Sequence, residues 1–433
     1  MNDLNFQSLK RTLDRLFPGS DRQEINWQKI AAAVACLKNF SVITGRPGTG
    51  KTFTVTKVLA LLLEQSPGQK LQIYLAAPTG KAAARLKETV EEAKSQLNCH
   101  DSIKAAIPPE VFTIHRLLGP ITGSPYFRHN RENPLMADVV VVDEASMVDL
   151  ALMAKLLEAV PEQARLILIG DKDQLASVEA GSVLGDICDR NVMHGFSVPF
   201  MKRIKEVTGV DLGHRAQTSG AQSGLQDAIV VLQKSYRFTA GSGIGDLSRA
   251  VNREDTETAF QLLADENDNA ITWQALKADE GLFENLSHQI VSGYQSYLKA
   301  GDPASALQRL QRFKILCALN IGPLGVQAIN KLAEQVLRRQ NLIQPDAAPE
   351  NPWYAGRPVL ITRNHYPLRL FNGDIGITLP DAEAGDNQLA VFFKGDSGEV
   401  RRFQPYQIPE HATVYAMTVH KSQGSEFDEV LFI

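Results

Sequence analysis

The chain has 433 residues, of which 44% are hydrophobic and 22% are charged, and its formal net charge is −4. This length predicts two or three domains, and the charge neither demands nor excludes nucleic acid as a partner. The sequence lacks an apolar run of about 18 residues, an apolar signal core and any paired spacing among its four cysteines, so we expect a cytoplasmic protein without membrane contact and without a disulfide or zinc framework.

The first predicted element is a helix over residues 6–17, which ends at Pro18-Gly19. We assign residues 1–21 to an N-terminal helical extension. From residue 22 to 202 apolar strands alternate with helices, and this alternation predicts a parallel α/β sheet in a first, ATP-binding domain. The predicted strands are 40–44, 71–77, 139–142 and 165–169, and helices are predicted after residues 51, 80 and 148.

A glycine-rich loop follows the first predicted strand and consists of Gly45, Arg46, Pro47, Gly48, Thr49, Gly50, Lys51 and Thr52. Its glycines let backbone N–H groups surround a polyphosphate at the start of the next helix. Lys51 is predicted to reach the β- and γ-phosphates, and Thr52 is predicted to ligate Mg²⁺. The strand before the loop and the helix after it favour a nucleoside triphosphate site over a turn that binds nothing.

Two adjacent acids, Asp143 and Glu144, follow the valine run 139–142, which is typical of a buried parallel strand. At the carboxyl end of that strand Asp143 can hold Mg²⁺, while Glu144 can orient or deprotonate the attacking water. Adjacent acids at a strand end also occur in solvated turns. Together with the loop at 45–52, however, they favour hydrolysis of the bound nucleotide.

Residues after two other strands are candidates for contact with a nucleic-acid backbone. Thr79, Gly80 and Lys81 open a helix and offer a hydroxyl, an N–H group and an ammonium to a phosphate. A helix cap with solvated basic side chains is the alternative. For His115, near the same sheet edge, a DNA contact and a structural role are both open.

Two residues are candidates for sensing the γ-phosphate. The amide of Gln174, after the strand 165–169, can bond that phosphate and respond to its loss. Arg237 can contact the γ-phosphate across a cleft and stabilise transition-state charge, although a surface ion pair is the alternative for this arginine. Stepping requires a second domain that contacts the nucleotide in only one of its states, and Arg237 is a candidate for that contact.

The rest of the chain divides by composition. The polar, glycine-rich residues 203–224 are assigned to a flexible connection. Residues 225–352, mainly helical with a strand at 313–319, form the first part of a second α/β domain. Residues 353–410 carry short strand and turn signals that predict a small β-barrel insertion, and residues 411–433 form the second part of that domain.

Six segments match, in order, the motifs of superfamily one helicases. The sequence most closely resembles the RecD type, the alpha subunit of bacterial exodeoxyribonuclease V (RecBCD), over about residues 12–433. The resemblance implies an α/β protein with two RecA-like P-loop NTPase domains, whose parallel sheets are flanked by helices, and a small SH3-like β-barrel inserted in the second. The matching segments are 45–52, 77–86, 143–146, 170–175, 235–238 and 417–427.

The resemblance also implies a function. It is that of a motor using ATP and Mg²⁺ to move 5′ to 3′ along single-stranded DNA. The motor would act at duplex ends in a heterotrimer with RecB-like and RecC-like subunits, in double-strand-break repair and homologous recombination. Exonuclease activity is expected from the complex only. A stand-alone helicase of the same family and a fragment that binds ATP without turnover are the alternatives.

Residue roles implied by the resemblance are as follows. Gln28 resembles the glutamine that reads adenine, and Lys51, Glu144, Gln174 and Arg237 take catalytic roles beside the metal ligands Thr52 and Asp143. The DNA path is lined by Thr79, Gly80, Lys81, His115, Thr418, His420 and Ser422, and the DNA and nucleotide sites communicate through Gln423, Gly424 and Glu426.

The chain ends at Ile433, inside an apolar run that predicts a buried strand. The family continues with a further strand and a helix whose arginine completes the ATP site. We therefore expect an incomplete chain and leave its turnover of ATP open.

Overall fold

The computed structural model forms two compact units, Met1–Trp273 and Gln274–Ile433. Within them it describes residues 5–19, 25–175, 181, 183–188, 195–213, 225–234, 236, 243–265, 270–276, 281–344, 352–383, 388–395 and 398–433. None of the described helices combines the length and the apolar character that crossing a membrane requires.

The first unit contains a six-stranded sheet with helices around it. Its described strands are β1 Phe40–Gly45, β2 Ile73–Ala77, β3 Val111–Thr113, β4 Val139–Val142, β5 Arg165–Gly170 and β6 Ile229–Leu232. Its described helices are α1 Phe6–Leu16, α2 Trp27–Leu37, α3 Lys51–Glu64, α4 Gly80–Gln96, α5 Asp101–Ala106, α6 Ile114–Leu118, α7 Leu150–Ala159, α8 Val183–Ile187, α9 Val198–Thr208, α10 Gly243–Asn252 and α11 Thr256–Leu263.

The sheet has the strand order β3-β2-β4-β5-β1-β6, and every neighbouring pair is parallel. All four residues of β4 are buried, as are five of the six in β1 and in β5, as is typical of central strands in a parallel sheet covered on both faces. The predicted parallel α/β sheet is thereby confirmed. Because the strands are parallel, all six carboxyl ends meet at one edge of the sheet.

The first unit includes segments that the sequence placed elsewhere. Ile229–Leu232 forms β6 and pairs with β1, whereas the sequence assigned residues 225–352 to the second domain. Val198–Thr208 forms a helix that ends at Gly209, so the start of the proposed connection 203–224 is helical, and residues 214–224 lie outside the described residues. Hydrophobic periodicity shows that a strand is buried, but it does not show which sheet the strand joins.

The predicted N-terminal helix is confirmed as α1, and it belongs to the core of the first unit. Leu9, Leu13 and Leu16 are buried in the same hydrophobic cluster as α2 and α3. Arg15 forms an ion pair with Glu64 at the end of α3. The helix is therefore an integral layer of this unit.

The second unit combines a parallel sheet with an antiparallel insertion. Its helices and strands are α12 Leu282–Leu298, α13 Pro303–Leu310, β7 Phe313–Cys317, α14 Val326–Arg339, β8 Pro358–Ile361, β9 Ile375–Pro380, β10 Leu389–Lys394, β11 Val400–Phe403, β12 His411–Thr413, β13 Ala416–Thr418, α15 Val419–Ser422 and β14 Glu429–Phe432.

The central strand of the parallel sheet is β7, with β13 and β14 on either side of it. The insertion is a five-stranded antiparallel sheet in the order β11-β10-β9-β8-β12, and it lies between α14 and β13 in sequence. The fold class predicted from the sequence is confirmed, with a small β insertion inside the second α/β unit.

Candidate functional site

The carboxyl edge of the first sheet gathers most of the predicted site residues. The P-loop follows β1, Asp143 and Glu144 follow β4, and Gln174 comes four residues after β5. Thr79 follows β2 and His115 follows β3 at the far end of the same edge. The strand order thus places the nucleotide candidates towards β1 and the DNA candidates towards β3.

The P-loop, residues 45–52, is shaped by close backbone packing. A Cβ on Gly45 would lie 2.7 Å from Thr49 Oγ1 and 3.0 Å from Leu232 Cβ, so a side chain there would collide with the loop and with β6. Gly50 has φ +75° just before α3 begins, a conformation that favours glycine. The ammonium of Lys51 donates to the carbonyl of Gly45 at 2.7 Å. The lysine is therefore held within the loop that it is predicted to serve.

The predicted metal ligands lie next to each other. The hydroxyl of Thr52 donates to Asp143 Oδ2 at 3.1 Å, although 91 residues separate the two in sequence. Glu144 comes directly after Asp143, and its N–H donates to Asp143 Oδ1 at 2.8 Å. Glu144 itself has φ 51°, in the left-handed region that is uncommon for a residue other than glycine. The chain therefore turns tightly directly after the end of β4.

Burial controls the electrostatics of these acids. It raises the pKa of Asp143, while the Glu144 N–H group, Lys51, Thr52 and Arg85 act in the opposite direction. It also raises the pKa of Glu144, which the negative charge of Asp143 raises further and the positive charges of Lys51 and Arg85 lower. Perturbed acids in one polar cluster are typical of functional sites.

Gln174 has a partner that ties it to the loop after β4. The hydroxyl of Ser146 donates to Gln174 Oε1 at 2.8 Å. Because the oxygen of the amide is engaged in this way, its NH₂ group remains the natural donor towards a phosphate. This side-chain hydrogen bond connects the loops after β4 and β5.

Gln28, at the second position of α2, lies against the P-loop. Its Nε2 donates to the carbonyl of Thr49 at 3.0 Å. A Cβ on Gly50 would approach the same nitrogen to 2.6 Å. The glutamine predicted to read adenine therefore lies directly beside the loop predicted to hold the phosphates.

Arg237 lies outside the described residues, but its neighbour Tyr236 is described. The N–H of Tyr236 donates to the carbonyl of Gly48 in the P-loop at 2.8 Å. Tyr236 lies in the first unit, beyond the end of β6. The sequence assigned residues 225–352 to the second domain, and for Tyr236 the structure corrects this assignment.

The DNA candidates of the first unit lie at helix starts. The hydroxyl of Thr79 caps α4 and accepts from the N–H of Ala82 at 3.2 Å, and Gly80 and Lys81 begin that helix. His115, in α6, is exposed, and its ring packs edge-on against Phe127 with the ring centroids 5.7 Å apart. Thr79 is therefore a helix cap, and its hydroxyl lies close to the first N–H groups of the helix.

The candidates of the second unit follow β13. The hydroxyl of Thr418 caps α15 and accepts from the N–H of Lys421 at 3.3 Å. His420 is exposed, and the hydroxyl of Ser422 donates to the carbonyl of Val419 at 2.7 Å. Just beyond this short helix lie Gln423, Gly424 and Glu426; Gly424 has φ +71°.

Three residues contribute to the edge of the first sheet without having been assigned a role from sequence. Ser146 holds Gln174, as described above. Asp171, at the end of β5, is 6% exposed, and burial raises its pKa while the charge of Lys51 lowers it. Arg85, in α4, carries a positive charge that acts on Asp143 and Glu144. Each lies in a motif already visible in the sequence, but only the three-dimensional contacts assign its function.

The fold and this edge define a class. A P-loop after β1 whose threonine contacts the first of two acids after β4, on a parallel sheet flanked by helices, is the arrangement of a RecA-like nucleoside triphosphatase. A family model described as an AAA domain matches residues 28–180, which contain this whole arrangement.

Comparison with curated proteins identifies the family. The chain is 35% identical to the RecBCD enzyme subunit RecD of Haemophilus influenzae, over 99% of this chain and 67% of that protein. It is 32% identical to the RecD subunit of Buchnera aphidicola from Acyrthosiphon pisum, over 98% and 70%, respectively. The chain belongs to the RecD family, and by class it is an ATP-dependent DNA helicase.

The chain is also similar to a RecD2 helicase and to a Pif1 structure. The ATP-dependent RecD2 DNA helicase of Deinococcus radiodurans is 30% identical over 90% of this chain and 42% of that protein. A solved structure of Bacteroides Pif1 bound to ssDNA aligns with a TM-score of 0.46 at 18% identity, over 94% of this chain and 86% of that one.

Proposed function

We propose that this chain is the 5′ to 3′ motor of a heterotrimer with RecB-like and RecC-like subunits. It hydrolyses ATP at the carboxyl edge of the first sheet and uses that energy to move along single-stranded DNA from a duplex end. The observation that carries the proposal is the shared edge itself, on which the P-loop, the acid pair and the DNA candidates follow neighbouring parallel strands.

In this proposal the P-loop N–H groups and Lys51 bind the triphosphate. Glu144 orients or deprotonates the attacking water, and Gln174 donates to the γ-phosphate while Ser146 holds its oxygen. Arg237 adds positive charge at the same phosphate. Gln423, Gly424 and Glu426 relay between nucleotide and DNA.

The residues present fit Mg²⁺. The Thr52 hydroxyl and an Asp143 carboxylate oxygen lie 3.1 Å apart, and both are the hard oxygen donors that this ion prefers. No group of three or more His, Cys, Asp or Glu side chains suited to a metal occurs in the part of the chain that the structure describes. A two-ligand site agrees with the habit of Mg²⁺ of keeping waters and substrate phosphates as its other ligands. Thr52 and Asp143 would hold the ion, which when bound would supply positive charge against the negative charge that develops during hydrolysis.

DNA is proposed to lie along the β2 and β3 side of the edge. There Thr79, Gly80 and Lys81 offer phosphate donors at the start of α4, and His115 lies beside them in strand order. Thr418, His420 and Ser422, which belong to the second unit, are also proposed to contact single-stranded DNA.

The link between ATP and DNA is supported by a direct backbone contact. The N–H of Asp143 donates to the carbonyl of Ala76 at 2.9 Å, and Ala76 lies three residues before Thr79. A shift of the acid pair on loss of the γ-phosphate would therefore reach the β2 turn without an intermediate side chain.

The proposal is tested by steady-state ATP hydrolysis with and without single-stranded DNA. We expect stimulation by DNA, which Thr79→Ala together with His115→Ala reduces while the rate without DNA is unchanged. Displacement of streptavidin from 5′- and 3′-biotinylated strands then measures polarity, with faster release from the 3′ end expected. The proposed motor function would be contradicted if the chain bound nucleotide but neither its hydrolysis rate nor its nucleotide affinity changed when single-stranded DNA was added.

Replacing Gln28 with alanine is expected to weaken ATP binding roughly tenfold, since a glutamine amide pairs with adenine through two hydrogen bonds. GTP binding should change little. Dissociation constants for both nucleotides, measured by fluorescence with labelled analogues, check this result. An equal loss for ATP and GTP would instead assign Gln28 to holding the Thr49 carbonyl of the P-loop.

A stand-alone helicase is the second candidate, and the similarity to the Deinococcus radiodurans RecD2 helicase favours it. Purification from the native host separates the two functions. Co-purification with two larger subunits supports the heterotrimer, whereas a monomer that unwinds DNA by itself supports the second candidate.

A further inference from the structure

The short segment 414–416 joins the antiparallel insertion to the parallel sheet of the second unit. It follows β12 of the insertion and runs into β13, which ends at the DNA candidate Thr418. We call it the 414–416 linker. Its four backbone hydrogen bonds to side chains all come from three buried polar residues on three different elements.

The first two partners are Lys314 and Tyr294. The ammonium of Lys314, in β7, donates to the carbonyl of Val414 at 3.0 Å, and the hydroxyl of Tyr294, in α12, donates to the carbonyl of Tyr415. Lys314 is 1% exposed and Tyr294 is 0% exposed. Burying an ammonium is costly unless its donors are satisfied, so the hydrogen bond to the Val414 carbonyl offsets part of the cost of placing this lysine in the core.

The third partner is Asn330, in α14. Its Oδ1 accepts from the N–H of Ala416 at 3.0 Å, and its Nδ2 donates to the carbonyl of the same residue at 3.1 Å. The amide thus takes the place of a neighbouring strand at the outer side of β13, which is an edge strand of the parallel sheet. On its inner side β13 is held in register by β7, with Thr418 opposite Cys317.

The consequence is a fixed origin for the segment 418–422. The carbonyls of all three linker residues accept from buried side chains, and the N–H of Val414 donates to the carbonyl of Pro358 in the insertion. Because a shift of the linker would break these hydrogen bonds, its position is fixed. Thr418, which caps α15, lies two residues beyond the last of these bonds.

We infer that Tyr294, Lys314 and Asn330 are positioning residues for DNA binding. They hold the 414–416 linker in place. Thr418, His420 and Ser422 are thereby kept in position to contact DNA, on a backbone that is continuous with the insertion. The inference rests on the proposed function, since it assigns those three residues to DNA. A purely structural role would give the same stability cost without a specific loss of DNA affinity.

Two tyrosines on one helix provide a matched test. Tyr294→Phe removes the hydroxyl that holds the linker carbonyl. Tyr297→Phe removes an equally buried hydroxyl of α12 that donates to Gly356 at 2.8 Å and lies close to the hydroxyl of Tyr415. The control therefore perturbs the side chain of the linker but not its backbone bonds. Both variants keep their aromatic packing, and a similar small fall in melting temperature is expected for each.

We expect Tyr294→Phe to weaken binding of a fluorescent oligothymidylate roughly threefold to tenfold, as the loss of one buried hydrogen bond implies. ATP affinity should be unchanged, and Tyr297→Phe should bind DNA like the parent chain. Lys314→Met, which keeps the aliphatic stem, should repeat the loss. Equal DNA affinities for the two tyrosine variants would overturn the inference.

Hydrogen exchange measures the positioning without DNA. Faster exchange of amides 416–422 is expected in Tyr294→Phe and not in Tyr297→Phe. Local loosening in a chain that never binds single-stranded DNA would contradict the proposed function while keeping the mechanical role of the linker. DNA binding with unchanged exchange in both variants would contradict the positioning role alone.

Discussion

Replacing Lys51 with alanine should abolish tight binding of ATP and lower its hydrolysis by about a hundredfold or more, as expected when a preorganised charged donor to a reacting phosphate is lost. The ammonium lies inside the loop, 2.7 Å from the Gly45 carbonyl, and a lysine at this position of a P-loop reaches the β- and γ-phosphates of the bound nucleotide. Titration with a fluorescent ATP analogue and a coupled hydrolysis assay provide the two measurements.

Lys81→Ala is the matched control for that experiment. Lys81 is also a lysine in the first turn of a helix that follows a parallel strand, but it lies after β2 on the DNA side of the edge. It should keep ATP affinity and weaken DNA binding, while Lys51→Ala should do the reverse. Loss of ATP binding in both variants would show that the division of the edge into a nucleotide half and a DNA half is wrong.

The nucleotide half of the site was predictable from the sequence because its chemistry is local. The P-loop needs glycines within a few residues of each other, and the valine run before Asp143 marks a buried strand by composition alone. Two such strands in one parallel sheet must end at the same edge. The contact between Thr52 and Asp143, across 91 residues, follows from that geometry.

The parts that escaped prediction depend on tertiary choice. Four apolar residues at 229–232 suit either sheet, and only their pairing with β1 assigns them to the first. The sequence near Ser146 does not indicate that its hydroxyl bonds a residue 28 positions away, yet it donates to Gln174. Buried polar residues such as Lys314 and Asn330 are also unexpected from hydrophobic pattern, since their partners are backbone groups about 100 and 86 residues distant.

Replacing Glu144 with glutamine should leave ATP binding intact and slow hydrolysis by about a hundredfold to ten-thousandfold, the usual range for losing a general base. Glutamine keeps the size of the side chain and places no new demand on the backbone, whose φ of 51° is already imposed by the turn after β4. The hydrogen bond from the residue 144 N–H group to Asp143 is also preserved. Single-turnover hydrolysis and nucleotide titration separate the chemical step from binding.

Asp171→Asn distinguishes a positioned base from a general loss of negative charge. Asp171 is likewise a buried carboxyl at the end of a neighbouring strand, and its charge also acts on Glu144. If Glu144 acts on water directly, removing the charge of Asp171 should change the rate less than tenfold, because a nearby charge only tunes the base. Equal losses in hydrolysis rate for Glu144→Gln and Asp171→Asn would mean that these acids act only through their negative charge and that Glu144 is not a general base. The attacking water would then need another partner, and the role proposed for the acid pair would fail even though the P-loop still bound ATP.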